Sequence, residues 1–232
     1  MRKMLLWLAL AALAAALLGC GAKPDQTYAK TPAAQPQAQS PAPSAQPQAP
    51  AAGGRKTYSQ PPAMQIDPNK QYTAIMKTSL GSLTIQLFPK DAPQTVNNFV
   101  FLAREGFYNG TIFHRIIKNF MIQGGDPQGN GMGGPGYTIP DEYPIKRNYE
   151  LGTIAMARTS APNSAGSQFF ICNSAECGGL NAQKLYVIFG KVTDGLDVLD
   201  KLSNVPVGPG EDGNMSAPKD PPVIESITIN EK

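Results

Sequence analysis

The chain contains one histidine and three cysteines among 232 residues. A Cys/His zinc site, a histidine-based triad beside a separate metal centre, or a multi-disulfide framework is hard to assemble from so few ligands. No metal and no cofactor are therefore expected. Charge is sparse as well, at 16% of residues with a net +3. That excludes the dense basic stripe of a nucleic-acid binder. The uncharged run over residues 4–18, which holds the only tryptophan, Trp7, is shorter than the roughly 20 residues a membrane-spanning helix needs. What the chain does have is 22 prolines and 23 glycines, unevenly placed, and 41% apolar residues, enough for a buried core.

Arg2 and Lys3 precede the apolar run, which ends in Leu17-Leu18-Gly19-Cys20. This order fits a secretory signal, and the ending resembles a bacterial lipobox. The resemblance implies a lipoprotein signal over 1–19 and lipid attachment at Cys20. Anchorage to a bacterial membrane on its extracytoplasmic side would follow, because several acyl chains hold where one is marginal. Without Arg2 and Lys3 the basic count is 18 against 17 acidic residues, a net +1. Residues 20–68 read as a disordered tether. The segment Ala34-Gln35-Pro36-Gln37-Ala38 recurs as Ala45-Gln46-Pro47-Gln48-Ala49, and such composition cannot offset the entropy of ordering. In extended polyproline form the tether would reach on the order of 150 Å.

The folded domain is expected over 69–232. Tyr72 to Thr78 and Leu83 to Phe88 read as strands around a turn at Leu80-Gly81-Ser82, with Leu83, Ile85 and Leu87 alternating against polar residues. Asp91-Ala92-Pro93-Gln94 reads as a helix start with Asp91 as cap. Val96, Phe99, Val100 and Ala103 form its apolar face, and Gly106 closes it. Further strand-like runs are Ile112 to Ile117, Phe120 to Gln123, Thr153 to Ala157, Gln168 to Cys172, Leu185 to Phe189 and Val223 to Ile229. A second helix fits Leu196 to Leu202. About eight strands and two helices point to a mostly β barrel or sandwich.

Two stretches carry more information: Phe113-His114-Arg115-Ile116-Ile117-Lys118-Asn119-Phe120-Met121-Ile122-Gln123-Gly124-Gly125-Asp126, and Asn163-Ser164-Ala165-Gly166-Ser167-Gln168-Phe169-Phe170-Ile171. Together they resemble the cyclophilins, peptidyl-prolyl cis-trans isomerases, over about Ile75 to Ile229. The resemblance implies a closed eight-stranded antiparallel β-barrel capped by two α-helices, with the active site on its outer face.

The chemistry of that reaction suits this inventory. Rotation about an amide meets a barrier of about 18–20 kcal/mol because the nitrogen lone pair is delocalised, and X–Pro bonds take tens of seconds or more to interconvert. Catalysis needs no nucleophile and no metal. It needs a donor near the prolyl nitrogen, an apolar pocket for the ring, and polar groups holding one flank. A gain on the order of 10⁵ corresponds to about 7 kcal/mol. Arg115, permanently charged and planar, is the candidate donor. By resemblance, Gln123 and Gln168 bond the substrate and orient Arg115. Phe120, Met121, Phe170 and Leu180 line the proline pocket, and Ala157 and Arg158 lie in the segment whose backbone binds peptide.

The chain departs from the family pattern at three places. Arg158 stands where other members carry Asn. Gly179 stands where many carry Trp, which implies weak cyclosporin binding. Tyr186 stands at the active-site His position, which implies altered rate or substrate preference. His114 falls on the strand face opposite Arg115 and reads as structural. Gly129, Gly131 and Gly134 fit G-x-G-x-x-G, but Pro135-Gly136 follows where a helix would have to open, so a turn-rich loop is read instead of a dinucleotide site. Cys172 and Cys177 read as a buried thiol and a separate loop thiol, although outside the cytoplasm they could pair. The expected partners are proline-containing unfolded or exported polypeptides, bound by a monomer. The alternatives are a proline-peptide binding module or chaperone with little turnover and, from another class, a solute-binding lipoprotein, which needs about twice this folded length.

Overall fold

The computed structural model describes residues 56–232. The signal, Cys20 and most of the proposed tether lie outside the described residues. The strands are β1 (Tyr72–Thr78), β2 (Gly81–Leu87), β3 (Thr111–Ile112), β4 (Arg115–Ile117), β5 (Met121–Gly124), β6 (Thr153–Met156), β7 (Phe169–Cys172), β8 (Ile188–Asp194), β9 (Val207–Pro209), β10 (Met215–Pro218) and β11 (Val223–Glu231). The helices are α1 (Pro93–Arg104) and α2 (Leu196–Ser203).

Nine strands form one antiparallel sheet in the order β3-β11-β1-β2-β8-β6-β7-β5-β4, and β9 with β10 makes a separate hairpin. The single run expected over Ile112 to Ile117 is in fact two strands at opposite ends of this sheet. β3 pairs with β11 and β4 with β5. Only Phe113 and His114 separate them, a span of about 11 Å at most from Ile112 to Arg115, so the sheet must curl until its ends approach. One antiparallel bridge, Ile112 to Asp126, spans the seam. Among the described residues no ladder joins β3 to β4. The expected eight-stranded closed ladder is thus replaced by a nine-stranded curled sheet, because the chain crosses the seam within one expected strand.

Alternation sorts side chains to two faces. Leu83, Ile85, Leu87, Ile116, Ile122, Ile154, Phe169 and Ile171 point into the main core, together with Val96, Phe99 and Val100 of α1 and Leu199 and Leu202 of α2. The intervening residues Met121, Ala155, Phe170 and Cys172, with Tyr149, Cys177 and Ile188, form a second buried apolar cluster on the outer face. β6 and β7 are accordingly buried on both sides.

The entry to α1 differs from expectation. Ala92 occupies the cap position with no side-chain hydrogen bond, and Asp91 instead accepts from Arg147 Nε at 2.7 Å. The free N–H groups of Gln94 and Thr95 donate to the Glu142 carboxylate at 2.9 and 2.8 Å, so a distant loop supplies the cap. The exit is as expected. Gly106, at φ +67°, allows Gly106 N–H to reach Ala103 O and Phe107 N–H to reach Leu102 O, both at 2.9 Å.

Residues 56–68, assigned by composition to the tether, pack on the domain. Tyr58 stands edge-on to Phe101 at 5.1 Å and also meets Phe107 and Tyr137, and its N–H donates to Pro135 O at 2.8 Å. Ile66 is buried in the main core. Aromatic packing of this kind is available to a polar-looking segment that composition alone classifies as linker.

Cys172 and Cys177, expected as separate thiols, are joined in a disulfide, with Cα atoms 5.7 Å apart. The 3₁₀ segment Ala175–Ala182 starts two residues beyond the end of β7, after Asn173 and Ser174, and brings Cys177 within disulfide reach of Cys172, which periodicity does not foretell.

Candidate active site

The register across β4, β5, β7 and β6 aligns Arg115 with Gln123, Gln123 with Phe170, and Phe170 with Ala155. This row crosses the outer face. Next to it, Ile117 faces Met121, and Met121 faces Cys172. A guanidinium and an amide therefore stand beside the outer apolar cluster. Met121 and Phe170 are buried in that cluster, and Phe120, Ala157, Leu180 and Tyr186 pack half-buried against it. The Phe170 and Tyr186 rings meet edge to face at 5.4 Å. Tyr149 locks Tyr186 from behind, accepting from its N–H at 3.0 Å and donating to its carbonyl at 2.6 Å.

The polar side is a chain of amides. Gln123 Nε2 donates to Gln168 Oε1 at 2.9 Å, and Gln168 Nε2 donates to the carbonyls of Gly131 and Gly133, each at 2.9 Å. Gln168 thus holds the glycine-rich loop and does not contact Arg115. Gln123 Oε1 lies 3.5 Å from Arg115 Nη1, a long contact, and Met121 Sδ lies 3.7 Å from the same nitrogen. The short partner of Arg115 is Asp212, whose Oδ2 accepts from Nε at 2.7 Å. Of the two glutamines expected to orient Arg115, Gln123 makes a long contact with it and Gln168 reaches it only through Gln123.

A cleft of about 300 Å³ adjoins the apolar cluster and is lined by Gln123, Met132, Pro135, Ala157, Arg158 and Gln168, among others. Arg158 is largely buried there, with Nε 3.6 Å from Asp141 Oδ2. The sequence signals missed two acids. Asp126 is buried and accepts from the N–H groups of Gln128, Asn130 and Gly131 at 2.7, 3.1 and 2.6 Å. It thereby fixes the G-x-G-x-x-G segment as a loop with no helix after it. Asp212 lies in the β9–β10 turn, where Glu211-Asp212-Gly213 signals a hairpin but not its distant partner.

His114, between β3 and β4, has both ring nitrogens unpaired. Burial lowers its pKa below the ordinary 6.5; Asp126 opposes this and Arg115 adds to it. The folded chain therefore binds this proton less readily than the unfolded chain does. Stability is unaffected above the unfolded pKa and falls as pH drops from there toward the lowered folded value. As the only histidine, His114 contributes this pH dependence in the range just below the ordinary histidine pKa of 6.5. His114→Gln should flatten the change in urea midpoint across that range. An unchanged slope would refute this assignment.

The sequence of residues 73–229 matches the family model for cyclophilin type peptidyl-prolyl cis-trans isomerases. A peptidyl-prolyl cis-trans isomerase of Helicobacter pylori is 47% identical over 132 residues, covering 56% of this chain and 78% of that protein. One from Acinetobacter baylyi is 45% identical over 161 residues, covering 66% and 83%. Peptidyl-prolyl cis-trans isomerase B of Escherichia coli is 42% identical over 161 residues, covering 66% and 97%. Among solved structures, a cyclophilin type isomerase of Cryptosporidium parvum, crystallised in the presence of the dipeptide Ala-Pro, superposes with a TM-score of 0.61 at 38% identity. It covers 69% of this chain and 99% of that one.

Proposed function

This chain belongs to the cyclophilin type peptidyl-prolyl cis-trans isomerases, and from that premise we propose that it rotates X–Pro bonds in exported polypeptides by a non-covalent route centred on Arg115. The observation that supports the route is the outer-face row of Arg115, Gln123 and Phe170 beside the Met121, Phe120 and Leu180 cluster. A proline ring seated on that cluster places its nitrogen toward the guanidinium. A hydrogen bond to that nitrogen favours its pyramidal form, in which conjugation and its barrier are lost. Gln123 is the group available to hold the carbonyl before proline. The backbone at Ala157 and Arg158 fixes one flank while the other turns.

The export setting and an anchor at Cys20 rest on the signal-like start of the sequence, Arg2 to Cys20. Weak cyclosporin binding rests on Gly179, which presents no side chain, and an altered substrate preference rests on Tyr186 and Arg158. The test of the reading is protease-coupled isomerisation of an Ala-Pro peptide. Acceleration over the spontaneous rate is expected. Binding without acceleration would overturn the reading in favour of a peptide-binding module.

A further inference from the structure

We infer that Asp212 is the positioning residue that sets Arg115 for catalysis, an inference that rests on Arg115 being the donor. A free arginine side chain samples many rotamers, and aiming one costs side-chain entropy. A fixed donor therefore needs a partner that leaves its working edge open. Asp212 Oδ2 accepts from Nε at 2.7 Å, which engages one edge of the fork and leaves Nη1 toward Gln123 and Met121. No other side chain holds Arg115 at such short range among the described residues, since Gln123 stands at 3.5 Å and Met121 at 3.7 Å.

Asp212 is itself held firmly. Its Oδ1 accepts from Ser216 Oγ at 2.6 Å and from Asn214 N–H at 3.1 Å. These bonds, Ser216 first, and the Arg115 guanidinium keep its carboxyl well below the usual carboxylate range. The turn is shaped for it. Gly210 N–H donates to Asn214 O at 2.7 Å, and a Cβ on Gly210 would overlap Ser216 Oγ and stand 2.7 Å from Asp212 Oδ1. The hairpin of β9 and β10 lies outside the main sheet, and β10 packs beside β4, which bears Arg115. The hairpin thus delivers one carboxylate to the catalytic strand from 97 residues away.

A purely structural role predicts something different. The pair is partly exposed, 30% for Arg115 and 23% for Asp212, and such pairs add little to stability, so variants should fold. Asp212→Ala should lower kcat by roughly 10- to 30-fold with KM nearly unchanged, because geometry is lost and not the pocket. Asp212→Glu should recover part of the loss. Gly210→Ala, which keeps the carboxylate but crowds it, should show a smaller loss of the same kind. In an Arg115→Ala background, Asp212→Ala should cause no further loss. A kcat within about twofold of wild type, or an equal loss in both backgrounds, would overturn the assignment. Loss of rate in Arg115→Ala without loss in Asp212→Ala overturns this inference alone. Full rate in Arg115→Ala overturns the underlying reading and this one with it.

Discussion

Arg115→Ala should reduce kcat/KM for an Ala-Pro peptide by about 10²- to 10³-fold, equivalent to roughly 3–4 kcal/mol of transition-state stabilisation. The spontaneous barrier is about 18–20 kcal/mol and comes from amide conjugation. The ground-state nitrogen, with its lone pair delocalised, is a poor acceptor, whereas the twisted nitrogen is a good one. A hydrogen bond from Arg115 to that nitrogen, as proposed, would form chiefly in the transition state, so the loss belongs in kcat more than in KM. A charged donor beside the apolar cluster acts at reduced dielectric, which strengthens it relative to water. Arg115→Lys keeps the charge but loses the planar fork that allows Nε to be held while another nitrogen donates, so it should recover only part of the rate. Stability should move by less than about 1 kcal/mol, because the ion pair is partly exposed. Protease-coupled rates beside a urea titration check both quantities. A variant with more than half the wild-type rate would remove Arg115 from the mechanism.

Phe169→Ala should act in the opposite way, lowering stability by about 3–5 kcal/mol, a large share of the 5–15 kcal/mol available to a typical domain. Phe169 has no exposed surface. It stands edge-on to Phe99 at 5.9 Å, to Tyr108 at 5.7 Å and to Phe113 at 6.5 Å. Its ring ties α1 to the sheet, so truncation leaves a cavity that neither layer can close without moving the other. Phe170→Ala, one residue on and buried in the outer cluster against Tyr149 and Tyr186, should lose catalysis together with only part of its stability, because that cluster does not tie α1 to the sheet. Urea midpoints for the two variants give the test, and a loss below about 1.5 kcal/mol for Phe169→Ala would show that the core relaxes around the gap.

Residues near one another in sequence told most of this in advance. The alternation of Leu83, Ile85 and Leu87 gives β2, and Gly106 gives the end of α1, because both signals act within one turn or one strand. The long motifs around Arg115 and Gln168 carry the resemblance that names the candidate site residues, and the register places Arg115, Gln123 and Phe170 in one row. What escaped was long-range. Glu142 caps α1 from 47 residues beyond Thr95, Asp212 reaches Arg115 across 97, and Tyr58 packs on α1 from a stretch whose composition reads as linker. No local period encodes these pairings. The seam between Ile112 and Arg115 escaped for another reason: an apolar run looks the same whether it pairs along its length or changes partners midway. A five-residue separation leaves the disulfide open from sequence, because closure depends on the fold of the 3₁₀ segment that carries Cys177.

The two faces of β7 also make the domain easy to retune. Phe169 and Ile171 serve the interior, while Phe170 and Cys172 serve the outer cluster. Arg158, Gly179 and Tyr186, the three positions that the resemblance marks as departures, all lie outside the inner core. On the proposed site, replacements there would change what a bound peptide meets without creating a hole between the sheet and α1. A combinatorial library confined to Gly179 and Tyr186, which leaves the buried Arg158–Asp141 pair intact, should therefore return mostly folded variants with divergent peptide preferences. The same diversity spent on inward positions of β7 would be consumed by misfolding before any preference could be selected.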